Sequence, residues 1–492
     1  MACTTILVGK KASFDGSTII ARNEDCPSGE FCEKCMDVNR PDPAKKTYKS
    51  VLGHLEVALP EGGTRYTCMP NADLKEGLWE AAGVNERNVA VNATETLTSN
   101  ERVLAADPLV AYRAAKGEPG EDGYETEVAG GIGEEDMVTL VLPYATSARD
   151  GVLRLGALLE RYGTYEMNGI AFADVDEIWW LETVGGHHWI ARRVPDDCYV
   201  TMPNQLGLDS FDLEDAFGEG REHLCSADLR EFIEDNHLDL SLDGQLNPRD
   251  AFGSHSDADH VYNTPRAWDI QRFLNPSAGP WETAAPHEEF GPESDRLPWA
   301  RVPERKITME DVKYALSLHF QGTVYDPYGR MGTPATRGMY RPIGINRNCQ
   351  LTAQQIRPYV DGPRRAVQWI ALGSNAFNAL VPFYTQVDEV PEYVRSTPKT
   401  CTTESFYWAN RLIGAMADAS FAATQPHVER YQEKLQAAAT RLILQADAAG
   451  ADMAETNQAI ADETRRQTDE LLGHVLFARS NEMRNGFKRS DN

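Results

Sequence analysis

The feature that most restricts the fold of this chain is its N-terminal segment, between Cys3 and Asp25. Thr4 to Val8 is β-branched or apolar throughout, Asp15-Gly16 supplies a turn, and Ser17 to Ala21 resumes the strand pattern. Two such runs divided by an Asp-Gly turn predict a hairpin. Folding the strands back on one another returns Arg22-Asn23-Glu24-Asp25 to the neighbourhood of Cys3. The terminal thiol is then fixed by a strand instead of lying on a frayed end.

Strand signals recur at Val89–Val91, Met137–Leu142, Ile178–Val184, Trp189–Val194, Val200–Met202 and Val367–Leu372. The pair flanking Gly185-Gly186 reads as a second hairpin. Helical patterns alternate with them. Val152, Leu155, Leu159 and Tyr162 share one face of a helix beginning near Ala148. Thr308 with Asp311 three residues on predicts an Asp version of the capping box, ahead of Val312, Ala315 and Leu316. Val428, Tyr431, Leu435, Ala438 and Leu442 open a helical stretch that runs to about Leu476. Residues 244–304 carry many Pro, Gly, Asp and His residues with weak periodicity, which predicts long surface connections with short helices. The mixture predicts an α+β protein: one domain over residues 3–420 with long inserted loops around 205–304, and a helical C-terminal extension, 421–492, packed on it.

The charge balance narrows the partners. Lys and Arg total 48 against 75 Asp and Glu, a formal net charge of -27. Such a field repels phosphate backbones and anionic bilayers, so no nucleic acid and no membrane is expected as a partner. The start of the chain lacks a basic leader followed by a long apolar core, and no stretch reaches the ~18 apolar residues of a span. The nine cysteines, an odd number in a long chain, suit a reducing compartment. These features together predict a cytoplasmic location.

Cys3 carries the most specific chemistry. Ala2 before it is small enough to permit removal of the initiator methionine. Once Met1-Ala2 is gone, nucleophile and base sit on one residue: an α-amine near pKa ~8 and a thiol near ~8.5. The amine can take the thiol proton, directly or through water, and return one to the leaving amine. Arg22 would lower the thiol pKa by its charge, and Asp25 would orient the amine. The same Arg-Asp pair also reads as an ordinary hairpin salt bridge.

Other motifs compete less well. HExxH, GxSxG and a Gly-rich phosphate loop are all lacking. His187-His188 fits a structural role or a cleft wall. Cys26, Cys32 and Cys35 form C-x5-C-x2-C, with Cys68 farther on. The CEKC element suits zinc or redox chemistry, but without a second close pair incidental thiols explain it equally. A zinc- or redox-regulated binding protein organised around these cysteines is the non-enzymatic reading.

The opening ACTTILVGKKASFDGSTIIARNEDC resembles the N-terminus of the family C69 dipeptidases, cysteine Ntn hydrolases related to penicillin V acylase and conjugated bile acid hydrolase. YKSVLGHLEVALP, RYTCMPNAD, GVNERNVAVNATET, GIGEEDMVTLVLPYATSARDGV, VTMPNQLG, WIALG and VPFY extend the resemblance over most of the chain. The resemblance implies a four-layer αββα sandwich and metal-independent, cofactor-free hydrolysis of short peptides such as dipeptides. An amidase or acylase acting on nonpeptide amides would use the same core. By motif, Cys3 resembles the nucleophile, Arg22 the arginine beside it and Asp25 the aspartate near the freed amine. Asn204 resembles an oxyanion-side asparagine, whose donor can be worth ~3 kcal/mol; it also reads as a turn residue after Pro203. Asn92, at a strand end in VAVNATET, is a second oxyanion candidate or a simple strand terminator. The superfamily implies a distal arginine as well, and Arg337 and Arg347 stay unchosen for it. Removal of Met1-Ala2 as a short propeptide, by trimming or by an autocatalytic acyl shift, completes the expectation; homo-oligomerisation is compatible with it.

Overall fold

A computed structural model describes residues 3–26, 32–360 and 362–484, with Gly486. Met1 and Ala2, read as a propeptide, lie outside the described residues. The N-terminal hairpin forms: Cys3–Val8 and Thr18–Asp25 pair antiparallel, with Cys3 opposite Glu24 and Thr5 opposite Arg22. The two strands sit in a seven-stranded sheet ordered Ala300–Arg301, Tyr199–Met202, Cys3–Val8, Thr18–Asp25, Asn348–Ile356, Ala366–Leu372 and Val381–Tyr384. An eight-stranded sheet runs His223–Cys225, Trp189–Arg193, Ile178–Thr183, Asn168–Ala173, Ala90–Thr96, Ala82–Asn85, Tyr66–Cys68 and Asp37–Asn39. Neighbouring strands in both sheets are antiparallel.

Alternation along the strands decides which residues face which neighbour. Leu7 and Ile20 of the first sheet share an apolar cluster with Ala90, Ala171, Ile178 and Trp180 of the second. Ile6, Val8, Ile19 and Ala21 point the other way, into a cluster with Val312, Ile413, Leu435, Ile460 and Leu471 from helices. On the far side of the second sheet, Val91, Phe172, Trp179 and Leu181 pack with Val138, Val152, Leu155 and Leu159. Burying each such side chain is worth ~1.5–3 kcal/mol. A one-residue slip would exchange the two faces, so the apolar pattern locks the register.

Local chemistry explains the elements that matter for the site. Thr308 caps the helix Met309–Ala315 as a capping box: Asp311 N donates to Thr308 Oγ1 at 3.2 Å and Thr308 N to Asp311 Oδ2 at 2.9 Å. Ala148–Tyr162 is the expected helix, and Ser147 Oγ accepts from Asp150 N at 3.1 Å at its start. The C-terminal stretch divides into Phe421–Ala449 and Met453–Ser480. Gly450 makes the break, with φ of 62° where a side chain would be strained, and Asp452 caps the second helix.

Two regions differ from the sequence reading. Met137–Leu142, expected as a strand, falls instead in the helix Glu134–Val141 and its C-terminal cap Leu142. Glu134, Glu135 and Asp136 fill its first turn, and Asp136 Oδ2 accepts from Gly133 N at 3.0 Å. Met137, Val138, Leu140 and Val141 are all buried, so the apolar run has no polar face to reveal a helical period. Residues 244–304 are not confined to surface connections. The helix Thr264–Leu274 buries Arg266, Ala267, Trp268, Asp269 and Ile270, and Trp268 and Trp281 join Phe320 and Tyr340 in a small core. Among the described residues no helix is long and apolar enough to cross a membrane.

Candidate active site

The alternation that sends Leu7 and Ile20 between the sheets sends Cys3, Thr5, Arg22 and Glu24 the same way. On the adjoining strands it turns Gln350, Thr352 and Gln354 to the same gap, and Asn92 toward them from the other sheet; a register shift after Ala93 then brings Glu95 to Thr5 while the Thr94 hydroxyl turns to Glu134. The strand ends therefore hold a buried polar set in an otherwise apolar seam.

Arg22 organises it. Its Nη1 donates to Cys3 Sγ at 2.9 Å and to Thr94 O at 2.9 Å. Its Nη2 reaches Glu24 Oε2 at 3.1 Å and Ala93 O at 2.6 Å, and its Nε reaches Asn92 Oδ1 at 3.1 Å. A guanidinium with every side of its fork engaged cannot swing away from the sulfur.

The other anticipated residues divide. Asn204 meets Cys3 at the backbone, its Oδ1 accepting from Cys3 N at 3.1 Å while its Nδ2 donates to Thr96 O at 3.0 Å. Asn92 is brought to Arg22, with its amide hydrogens given to Thr352 O at 3.2 Å and Gln354 Oε1 at 3.0 Å. Asp25 alternates to the opposite side of its strand, where Arg341 and Asn348 engage its carboxylate. Arg347 donates to Cys26 O at 3.0 Å, and Arg337 to Gly329 O at 3.3 Å.

The arginine that meets Cys3 from a distance in sequence is Arg266. Its Nη1 donates to the Cys3 carbonyl oxygen and to Thr4 Oγ1 at 2.8 Å; its Nη2 reaches Asn204 Oδ1 and Asn263 Oδ1, each at 2.7 Å. Two donors, Cys3 N and Arg266 Nη2, thus converge on Asn204 Oδ1 and fix which way the amide faces. The sequence did hold one signal for this helix, Asn263-Thr264-Pro265, a turn residue followed by a proline in the first turn.

Electrostatics set the reactivity. Burial pushes the Cys3 thiol up to about 12; Arg22 pulls it down, and Glu95, Glu24 and Glu134 push it further up. Burial also lifts Glu95 to about 8 against the pull of Arg266 and a hydrogen bond from Thr5. Glu24 goes the other way. Burial raises it, but Lys34 at 3.3 Å, Arg22 and the Gln350 amide outweigh burial and hold it at about 2. A carboxyl held below its unfolded value of ~4.3 stabilises the fold above that value and loses the contribution as pH falls toward its folded value. Glu24→Gln leaves two buried cations uncompensated, so it should cost ~3–5 kcal/mol near neutral pH. Urea unfolding should show that gap narrowing as pH falls from ~4.3 toward about 2. Equal stability at neutral pH would show that Glu24 is no brace.

Rival centres lack such convergence. His187 and His188 both turn their Nδ1 to Asp107, at 2.9 and 2.7 Å, a structural pairing. A cavity of about 530 Å³ beside Lys313, His319, Phe377 and Phe421 lies apart from Cys3. Burial brings Lys313 down to about 7, but its amine is committed to Ser317 Oγ at 2.7 Å and Asn375 O at 2.6 Å. Among the described residues no three His, Cys, Asp or Glu side chains are arranged to hold a metal ion.

Comparison with known proteins adds an independent line. The sequence profile of peptidase family C69 matches residues 2–434. A dipeptidase of Bifidobacterium longum (strain NCC 2705) is 55% identical over 100% of both chains. A probable dipeptidase A of Streptococcus pyogenes serotype M3 is 50% identical, again over 100% of both. Dipeptidase A of Lactobacillus helveticus is 41% identical over 96% of each chain.

Proposed function

Because the chain belongs to peptidase family C69, we propose that it is a metal-independent dipeptidase with Cys3, freed at its amine, as the nucleophile. One observation carries this reading. The sulfur, backbone nitrogen and carbonyl oxygen of Cys3 are each held by a different side chain: Arg22, Asn204 and Arg266. A structural thiol does not need all three. The apolar clusters, one between the sheets and one on each outer face, support the four-layer αββα sandwich of Ntn hydrolases as the fold.

In the proposed reaction the α-amine takes the thiol proton and the thiolate attacks the scissile carbonyl. The developing oxyanion draws on Asn204 only through its Nδ2, which has to turn from Thr96 O to reach it, the amine returns its proton to the leaving group, and water releases the acyl-enzyme. With Cys3 still in amide linkage the thiol lies at about 12. Freeing it places an ammonium beside the sulfur and admits water, and both changes favour the thiolate. Asp25, whose carboxylate is engaged by Arg341 and Asn348 on the other side of the strand, positions the strand end that carries the site and does not bind that ammonium. Asn92 acts through Arg22, because its own donors are spent.

The substrates are short peptides, dipeptides first, and the nine free cysteines support a reducing, cytoplasmic setting. The rival reading is an amidase acting on N-acyl or other nonpeptide amides. The Glu134 carboxyl group also acts on Cys3 from the head of the helix Glu134–Val141, and an acidic group there favours a substrate that brings its own ammonium. Unblocked dipeptides should therefore be cleaved at least ~10-fold faster than their N-acetyl counterparts, a difference of ~1.4 kcal/mol. The reverse preference in a side-by-side assay would replace dipeptidase by acylase. Chelator should leave turnover unchanged; loss of activity restored by zinc would reject the thiol mechanism.

A further inference from the structure

Three thiols meet directly behind this site and take no part in the reaction. Cys26 follows the strand Thr18–Asp25, Cys349 lies in the adjoining strand Asn348–Ile356, and Cys32 leads toward Asp37–Asn39. The Cys32 backbone N–H donates to Cys26 Sγ at 3.0 Å, and the side chains of Cys32 and Cys349 both hydrogen-bond to Cys26. Cys35, which completes the C-x2-C pair with Cys32, faces Pro70 O at 3.8 Å instead. The pair in contact is not the pair closest in sequence.

Cys26 accepts these bonds, so they push its thiol down, helped by the charge of Arg411. The hydrogen bond to Cys26 pushes Cys32 up, and burial with the same bond pushes Cys349 up. One sulfur with thiolate character beside a protonated, partly exposed one is the arrangement of a reactive dithiol.

The cluster also leans on the catalytic brace. Lys34, two residues beyond Cys32 and fully buried, places its Nζ 3.3 Å from Glu24 Oε1 and 2.9 Å from Trp79 O. Cys349 Sγ also lies 3.2 Å from the Glu24 carbonyl oxygen. Glu24 holds Arg22, and Arg22 holds Cys3 Sγ.

We propose that Cys26 and Cys32 form a peroxide-sensitive dithiol whose closure to a disulfide draws Lys34 off Glu24 and slows the Cys3 reaction. The Cys26 thiolate attacks one peroxide oxygen: an S–O bond forms, the O–O bond breaks, and hydroxide leaves. The Cys32 sulfur then attacks Cys26 sulfur: the S–S bond forms, the S–O bond breaks, and water departs with the Cys32 proton. The two sulfurs give up two electrons, and peroxide is reduced to water. Bringing the sulfurs to ~2.05 Å requires Cys32, and with it Lys34, to move.

The full-length protein, treated with hydrogen peroxide, blocked with iodoacetamide and digested, should yield a peptide linked through Cys26 and Cys32. Its dipeptide turnover should fall several-fold and recover with dithiothreitol, counting only molecules whose Cys3 remains unoxidised by mass. Cys32→Ser, at a partly exposed position, should give neither the linked peptide nor the recoverable fraction. The proposal is overturned if both cysteines are alkylated after peroxide, if the disulfide forms without change in turnover, or if the untreated protein carries stoichiometric zinc on these thiols. The kinetic arm rests on the function proposed above and the peptide map does not. An untreated protein with no dipeptide turnover would sink that function and leave the linked peptide to decide the thiol chemistry.

Discussion

Cys3→Ala protein is expected to lose dipeptide turnover by ~10⁴-fold or more while keeping its fold. The size follows from what is removed: without the sulfur no acyl-enzyme forms, and the remaining donors can only bind substrate. The fold should hold because Arg22 keeps Thr94 O, Ala93 O, Glu24 and Asn92 as partners when Cys3 Sγ is lost. A small void and one lost hydrogen bond cost ~1–2 kcal/mol, little for a chain with cores this extensive. Cys3→Ser tests the chemistry more finely. A hydroxyl keeps a partner for Arg22 Nη1 but is far harder to ionise than a thiol, so it should fold as well as the parent and turn over slowly. Purified Cys3→Ala that still hydrolyses dipeptides at the parental rate would remove Cys3 from the mechanism, whatever its contacts. Parental melting alongside lost turnover separates a catalytic defect from an unfolded one.

The parts legible in the sequence were those written in local patterns. The N-terminal hairpin, the aromatic hairpin at Ile178–Thr183 and Trp189–Arg193, and the capped helix Met309–Ala315 each carry their signal within a few residues. The hairpin alone was enough to bring Arg22 to Cys3. What stayed hidden depends on contacts far along the chain. Arg266 is 263 residues from the Cys3 carbonyl it meets, in a stretch whose Pro and Gly content reads as surface. Asp25 shows a second limit. Its closeness to Cys3 in the hairpin is real, but strand alternation turns its carboxylate to Arg341 on the other side. Distance along a hairpin was readable; the direction of the side chain required the sheet. The helix Glu134–Val141 shows a third, since a segment buried from most sides keeps no periodicity to read.

Active protein is expected to begin at Cys3, and protein that still carries Ala2 is expected to be inactive. The reason is the base. In an Ala2-Cys3 peptide bond the Cys3 nitrogen is an amide without a basic lone pair, and here it is spent as a donor to Asn204 Oδ1 at 3.1 Å. With the thiol pushed up to about 12 in that state, it stays protonated near neutrality. Freeing the nitrogen supplies an amine with pKa ~8, held against the sulfur by the same residue, so no distant histidine has to be recruited. The route of release can be read from variants. If Cys3 attacks its own preceding carbonyl, Cys3→Ala should retain Ala2 and Cys3→Ser should process slowly. If a cellular aminopeptidase does the trimming, both variants should lose Ala2 as the parent does. Intact mass of the purified proteins, taken with turnover on the same samples, distinguishes these outcomes. Full activity in wild-type protein that retains Ala2 would refute the terminal-amine mechanism even with Cys3 essential, because a base other than the Cys3 nitrogen would then have to activate the thiol.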